Sequence, residues 1–205
     1  MSLSDQERYA LFAKSVYRMN DPLKSKETRM ADAMSVISDG GVTGFDMDRS
    51  ESNSKRGVFV NNDTKEVIIS HRGTDPSMAA NLTSDAAIAL GVEGFTRRYK
   101  NARDRDAETI AKYPDHKVSL TGHSLGGNIS TNSSIANNVP AHVFNAGSGL
   151  LNFSHFLKPK KQKRNITHYT TVGDPLSLTA KVKPTKQVFV AQKGMNPHSL
   201  DNFIK

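Results

Sequence analysis

Along this chain of 205 residues the spacing of apolar positions changes period several times. Ser4-Asp5-Gln6-Glu7 has the form of a capping box, and Tyr9, Phe12, Ala13 and Val16 follow at helical spacing. The chain therefore opens on an amphipathic helix. A second helix is predicted over 27–38, with Met30, Met34 and Ile37 on one face and Gly40-Gly41 ending it. The polar stretch 46–56 reads as loop. Short apolar runs then take over: GVFV (57–60) and EVIISH (66–71) flank the turn NNDT and predict a β-hairpin. Residues 96–113 return to helical spacing through Tyr99, Ala102, Ala107 and Ile110, and Pro114 closes that helix. Beyond it, short apolar strands at 117–122, 141–147, 166–173 and 186–192 alternate with segments long enough to cross over. This pattern predicts an α/β architecture, a largely parallel central sheet with flanking helices. With no internal repeat and no dividing linker, residues 1–205 are expected to form one domain.

In such a sheet functional groups gather at the carboxyl ends of the strands. What stands there is informative. EVIISH is followed by Arg72-Gly73-Thr74-Asp75, and VSL leads into Gly122-His123-Ser124-Leu125-Gly126. ITHYTTV leads into Gly173-Asp174-Pro175, and the last strand leads towards Asn196-Pro197-His198. A serine, an acid and a histidine thus occur in the chain order expected of α/β-hydrolases. Taken singly, each has a plain reading as a turn, cap or surface residue, and G-x-S-x-G alone is weak. Together, in this order at these strand ends, they point to acyl chemistry. A serine hydroxyl needs a base to take its proton, and imidazole has a suitable pKa. A buried carboxylate fixes the imidazole tautomer. Gly122 and Gly126, on either side of His123 and Ser124, allow the tight turn and the close approach of helix to strand.

These segments resemble class 3 (fungal-type) lipases from about residue 57 to the end of the chain. HRGTD resembles that family's oxyanion segment, TGHSLGG its nucleophile elbow, VGDPLS its acid segment and NPHSLDNF its histidine segment. The small size is similar to that of compact lipase-like proteins of large DNA viruses. The resemblance implies an α/β-hydrolase fold, with Ser124 as nucleophile, Asp174 as orienting acid and His198 as general base. It implies an oxyanion hole made by the backbone N–H groups of Thr74 and Leu125, aided by the Thr74 hydroxyl, and elbow support from Gly122, His123 and Gly126. The activity implied is hydrolysis of carboxylic esters of lipids, as a triacylglycerol lipase or esterase. Phospholipase A1, thioesterase and acyltransferase chemistry on the same residues remain open, as does a non-catalytic basic scaffold associated with nucleic acid.

Two features depart from the family. The segment after the elbow, LGGNISTNSSIANNV, is rich in Asn, Ser and Thr where these lipases are Ala-rich. A helix is still expected there, and its buried polar groups will need partners. Only DPSMAANL (75–82) and the apolar AAIALGV (86–92) stand where a helical lid would be, so an open site acting on soluble or short-chain esters is expected.

Charge adds one question. The net charge of +8 owes much to the run Lys158-Pro159-Lys160-Lys161-Gln162-Lys163-Arg164, which suggests anionic lipid docking, nucleic-acid binding or nuclear import. It precedes the strand whose far end carries Asp174, and seven strand residues span roughly 23 Å. The lysines should therefore sit at the pole opposite the site, which disfavours lipid docking. The chain has no cysteine, which excludes disulfides and thiolate metal sites; no metal or cofactor is expected. No apolar run reaches membrane-spanning length and no signal peptide is evident, so an intracellular location, with virion or nuclear association open, is the expectation.

Overall fold

The computed structural model describes residues 3–74, 92–146, 165–174 and 184–205. Helix α1 (Asp5–Ser15) starts at the capping box: the Ser4 hydroxyl accepts from the Glu7 N–H while the Glu7 carboxylate accepts from the Ser4 N–H. The backbone N–H groups of Ser4 and Glu7 are thereby satisfied reciprocally. A 3-10 turn (Val16–Asn20) leads to α2 (Lys26–Asp39), capped by Ser25.

The strands are β1 (Asp46–Met47), β2 (Arg56–Asn61), β3 (Glu66–His71), β4 (Lys117–His123), β5 (Ala141–Phe144), β6 (Ile166–Thr171) and β7 (Lys186–Val190). They form one sheet in sequential order. The pairs β1–β2 and β2–β3 are antiparallel, and every pair from β3 to β7 is parallel. Helix α3 (Val92–Lys112) connects β3 to β4, and α4 (Leu125–Asn137) connects β4 to β5. In a parallel sheet whose strand order never reverses, right-handed crossovers place their helices on one face. Accordingly α3 and α4 pack together, and α1 covers the other face against β3, β4 and β5.

Side-chain alternation decides which layer each strand residue joins. Phe59, Ile68, Phe144 and Tyr169 pack with Phe12, Ile37 and Phe203 beneath α1. Their neighbours Val58, Val60, Val67, Ile69 and Val143 face the opposite layer, with Leu120, Ile110 and Ile135. Among the described residues, no helix is long and apolar enough to cross a membrane.

The expected elements differ from the observed ones at their ends. Within the stretch read as loop, Asp46 and Met47 pair with Val60 and Phe59, a two-residue strand too short to leave a pattern. β5 stops at Phe144 because Asn145 turns to φ 42°, and β6 stops at Thr171 because Gly173 turns to φ 88°. The lid-position segments (75–82 and nearly all of 86–92) and the basic run 158–164 lie outside the described residues.

Candidate active site

β4 enters the G-x-S-x-G turn and α4 leaves it. Ser124, at the junction, has φ 56° and ψ −127°, a conformation that non-glycine residues rarely adopt. The turn is held from both sides: the Ser124 N–H donates to the Phe144 carbonyl at 3.0 Å, and the Ser124 carbonyl accepts from the Asn128 N–H at 3.1 Å. Ser124 itself is partly exposed.

Its flanking glycines are required by contact. A Cβ on Gly126 would lie 2.1 Å from the His71 carbonyl oxygen and 2.8 Å from the Gly73 nitrogen. One on Gly122 would lie 2.5 Å from the Gly126 carbonyl group. Helix α4 thus rests directly on the backbone at the end of β3, the segment that continues to Thr74. Thr74 is partly exposed, as is Leu125, the first residue of α4. As the first helical residue, Leu125 has an N–H outside the intrahelical ladder, one of the donors that make helix N-termini receptive to negative charge.

Asp174 and His198 meet. The His198 Nδ1 lies 3.0 Å from Asp174 Oδ1, with the Asp174 side chain fully buried and His198 about one-fifth exposed. A carboxylate can only accept, so Nδ1 carries a proton, and in the neutral imidazole Nε2 presents its lone pair.

His123 joins this pair to the elbow. Its Nε2–H donates to the His198 carbonyl at 2.7 Å, and its ring lies 4.6 Å from the His198 ring. Its Nδ1 then accepts from the Tyr17 hydroxyl at 3.1 Å. Burial, and next the neighbouring His198, depress the His123 pKa to about 3, so the imidazole is neutral and its two hydrogen bonds keep fixed directions. The residue before Ser124 is therefore a strut between α1's turn and the histidine loop.

That loop is built by two asparagines. Asn202 Nδ2 donates to the carbonyls of Asn196, Pro197 and Ser199, while its Oδ1 accepts from the Lys193 N–H. Asn145 donates to the Pro197 carbonyl at 3.1 Å and accepts the Thr171 N–H at 2.8 Å, tying the loop to the strand end that bears Asp174. Beside them, burial lowers the His168 pKa to about 4 despite the Asp174 charge, and its Nε2 accepts from the Ala146 N–H.

The polar helix behind the elbow finds its partners within itself and on the elements it packs against. Ser130 donates to the Thr121 carbonyl at 2.6 Å, Thr131 to the Gly127 carbonyl at 2.9 Å and Asn132 to the Asn128 carbonyl at 2.9 Å. Bonding back to the carbonyl four residues earlier lets a polar side chain be buried in a helix without an outside partner. Ser133 reaches further, to Asp106 Oδ2 at 2.5 Å. The fully buried Asp106 side chain also accepts from Arg56 Nε at 2.9 Å and from His71 Nε2 at 2.8 Å. Burial opposes ionisation there, yet His71 and Arg56 outweigh it and hold the Asp106 carboxyl below its ordinary pKa. This network fastens α3 and α4 to the end of β3.

Tyr17, Gly73, Asp106, Asn145 and Asn202 were not singled out by sequence. Asn202 and Gly73 lie inside quoted motifs; Tyr17, Asp106 and Asn145 act across the fold and carry no local signal. Gly73 abuts the elbow so closely that an added Cβ would meet the His123 carbonyl at 2.7 Å and Ser124 Cβ at 3.4 Å. Among the described residues, no group of three or more His, Cys, Asp or Glu is arranged to hold a metal ion.

Comparison with known proteins bears on this arrangement. Residues 8–204 match the phospholipase-like family described as the Tle-like phospholipase domain. No curated protein matches the chain by sequence. Among solved structures, the chain is similar to the nonglycosylated LIP2 lipase of Yarrowia lipolytica, with a TM-score of 0.57 and 16% identity, over 96% of this chain and 82% of that one. It is also similar to a point mutant of MDLA from Penicillium cyclopium, with a TM-score of 0.55 and 15% identity, over 98% and 86% of the two chains. The Rhizomucor miehei lipase propeptide complex gives a TM-score of 0.53 and 15% identity, over 93% and 70%. At such identities the likeness shows the fold alone, which is the α/β-hydrolase fold of fungal-type lipases.

Proposed function

The chain belongs to the phospholipase-like family of Tle-like phospholipase domains, and from that premise we propose that it is a serine hydrolase of lipid carboxylic esters, acting on phospholipid in preference to triacylglycerol. Ser124 is the nucleophile. Its Oγ attacks the ester carbonyl while His198 Nε2 takes the proton. Asp174 keeps the His198 proton on Nδ1 and stabilises the imidazolium that forms. The N–H groups of Thr74 and Leu125, with the Thr74 hydroxyl, hold the oxyanion, each donor contributing about 3 kcal/mol to lowering the barrier. His198 returns its proton to the departing alcohol and leaves an acyl-serine ester. The same histidine then activates a water that releases the fatty acid.

The observation that carries this reading is the Asp174–His198 pair, anchored by a hydrogen bond to His123, the residue before Ser124. The strained Ser124 turn adds support, because such strain persists where it holds a side chain in a required place. The family supports phospholipid as the substrate class.

The test is labelling by a fluorophosphonate probe, followed by fatty acid release from phosphatidylglycerol vesicles and from triolein emulsion. Wild type should label and release fatty acid faster from the phospholipid, and Ser124→Ala should do neither. Absence of labelling in folded wild type overturns the serine mechanism. Faster release from triolein keeps the mechanism and overturns the phospholipid preference.

A further inference from the structure

A cavity of about 380 Å³ opens among the loop before β2, the end of β3 and the helices α3 and α4. Its lining is strongly basic: Lys55, Arg56, His71, Arg97, Arg98 and Arg105 all contribute. No carboxylate is among its described lining residues. Two described carboxylates pair with lining residues from outside: Asp106, bonded to Arg56 and His71, and Glu51, which lies 3.6 Å from Arg56 and 3.7 Å from Arg105. Among the described side chains, five cations against these two carboxylates leave an excess of three positive charges.

The cavity has a floor and a rim of different character. Arg56, His71 and Ile129 are buried at its base, locked by the Asp106 network and by packing. Lys55, Arg97 and Arg105 are exposed at its mouth, beside the amide side chains of Asn53 and Asn101. Arg98 lies between, donating one N–H to the Arg72 carbonyl. Burial first, and then the charge of Arg72, lower the Arg98 pKa, which marks its position as one that an added negative charge relieves. Guanidinium groups from β2 and α3 lining one cavity, with the Lys55 ammonium beside them, suit a tetrahedral anion, which takes N–H donors on more than one edge.

We propose that this cavity is a phosphate-binding site, taking a phosphate group either free in solution or as the headgroup of an anionic lipid. The excess charge matches a dianion better than a monoanion, and Lys55, Arg97 and Arg105 close over it from the rim. Because Arg98 lines the cavity and also holds the Arg72 carbonyl, two residues before Thr74, an occupant is felt in the segment that meets the elbow.

Calorimetric titration with inorganic phosphate, at constant ionic strength set by chloride, tests the site. Wild type should bind one phosphate per chain saturably. Lys55→Gln and Arg97→Gln, at exposed rim positions, should each weaken binding about tenfold while circular dichroism stays native. A second arm measures retention of the Ser124→Ala protein on phosphatidic acid vesicles, where no turnover occurs. Retention that inorganic phosphate displaces and Arg97→Gln abolishes assigns the site to a lipid headgroup. Saturable phosphate binding without such retention assigns it to free phosphate. The proposal is overturned if wild type shows no saturable heat with phosphate, or if both rim variants bind phosphate as wild type does.

Discussion

Asp106 offers a sharp test of how the elbow is supported. Its fully buried carboxylate accepts from Arg56 Nε, His71 Nε2 and Ser133 Oγ, at 2.9, 2.8 and 2.5 Å. Asp106→Asn preserves the shape, removes the charge and turns an amide N–H₂ towards groups that are themselves donors. Breaking a buried ion pair by removing one partner typically costs about 3–5 kcal/mol, because the remaining charge stays buried without compensation. That is a large share of the roughly 5–15 kcal/mol that stabilises a domain. For a chain of this length, each kcal/mol corresponds to about 2–4 °C in Tm, so the variant should melt roughly 10 °C below wild type. The chain has no tryptophan, so urea and thermal denaturation are best followed by far-ultraviolet circular dichroism. A double replacement, Arg56→Met with Asp106→Leu, removes both charges. It should be less destabilising than the sum of the single changes by about 2 kcal/mol. An Asp106→Asn protein within about 0.5 kcal/mol of wild type, the usual effect of a surface substitution, would refute the reasoning.

Three further outcomes follow from the same structure. Gly126→Ala puts a methyl against backbone atoms of His71, Arg72 and Gly73, so β3 and α4 must separate; stability should fall by about 1–3 kcal/mol and fluorophosphonate labelling with it, and retention of both would show a looser elbow. His123, His142 and His168 have pKa values depressed to about 3, 4 and 4, each chiefly by burial. The unfolded chain binds those protons first, so stability is complete above pH ~6.5 and falls as pH drops towards 4, by at most about 1.4 kcal/mol per pH unit per histidine. Urea midpoints that do not change between pH 7 and pH 5 would contradict this, and His142→Phe should flatten the slope. Asn202→Leu removes four bonds that build the histidine loop; with Ser124 and His198 in their proposed roles, kcat should fall about tenfold or more with KM little changed, and an unaltered kcat would show that the loop holds itself.

Much of this architecture was legible in the chain, because it rests on local rules. The capping box, the short apolar runs and the turn residues act within a few positions, and their order predicts a parallel sheet whose strand ends gather Thr74, Ser124, Asp174 and His198. The element ends were less legible: β1 is two residues long, and Asn145 takes a positive φ without a glycine to announce it. The polar face of α4 looked unsupported because its partners are one turn back in its own helix, on β4 or on α3.

What sequence alone determined was therefore the choice of elements and the order of candidate chemical groups, both set by periodicity and by which residue follows which strand. Tertiary structure decided the rest. It brought the Asp174 and His198 side chains, separated by 24 positions, to 3.0 Å, and made His123 a strut between Tyr17 and the His198 loop. It also gathered Lys55, Arg97, Arg98 and Arg105 around one cavity. Such juxtapositions depend on how layers pack across the sheet, and charge clustering or burial across layers has no period along the chain to betray it.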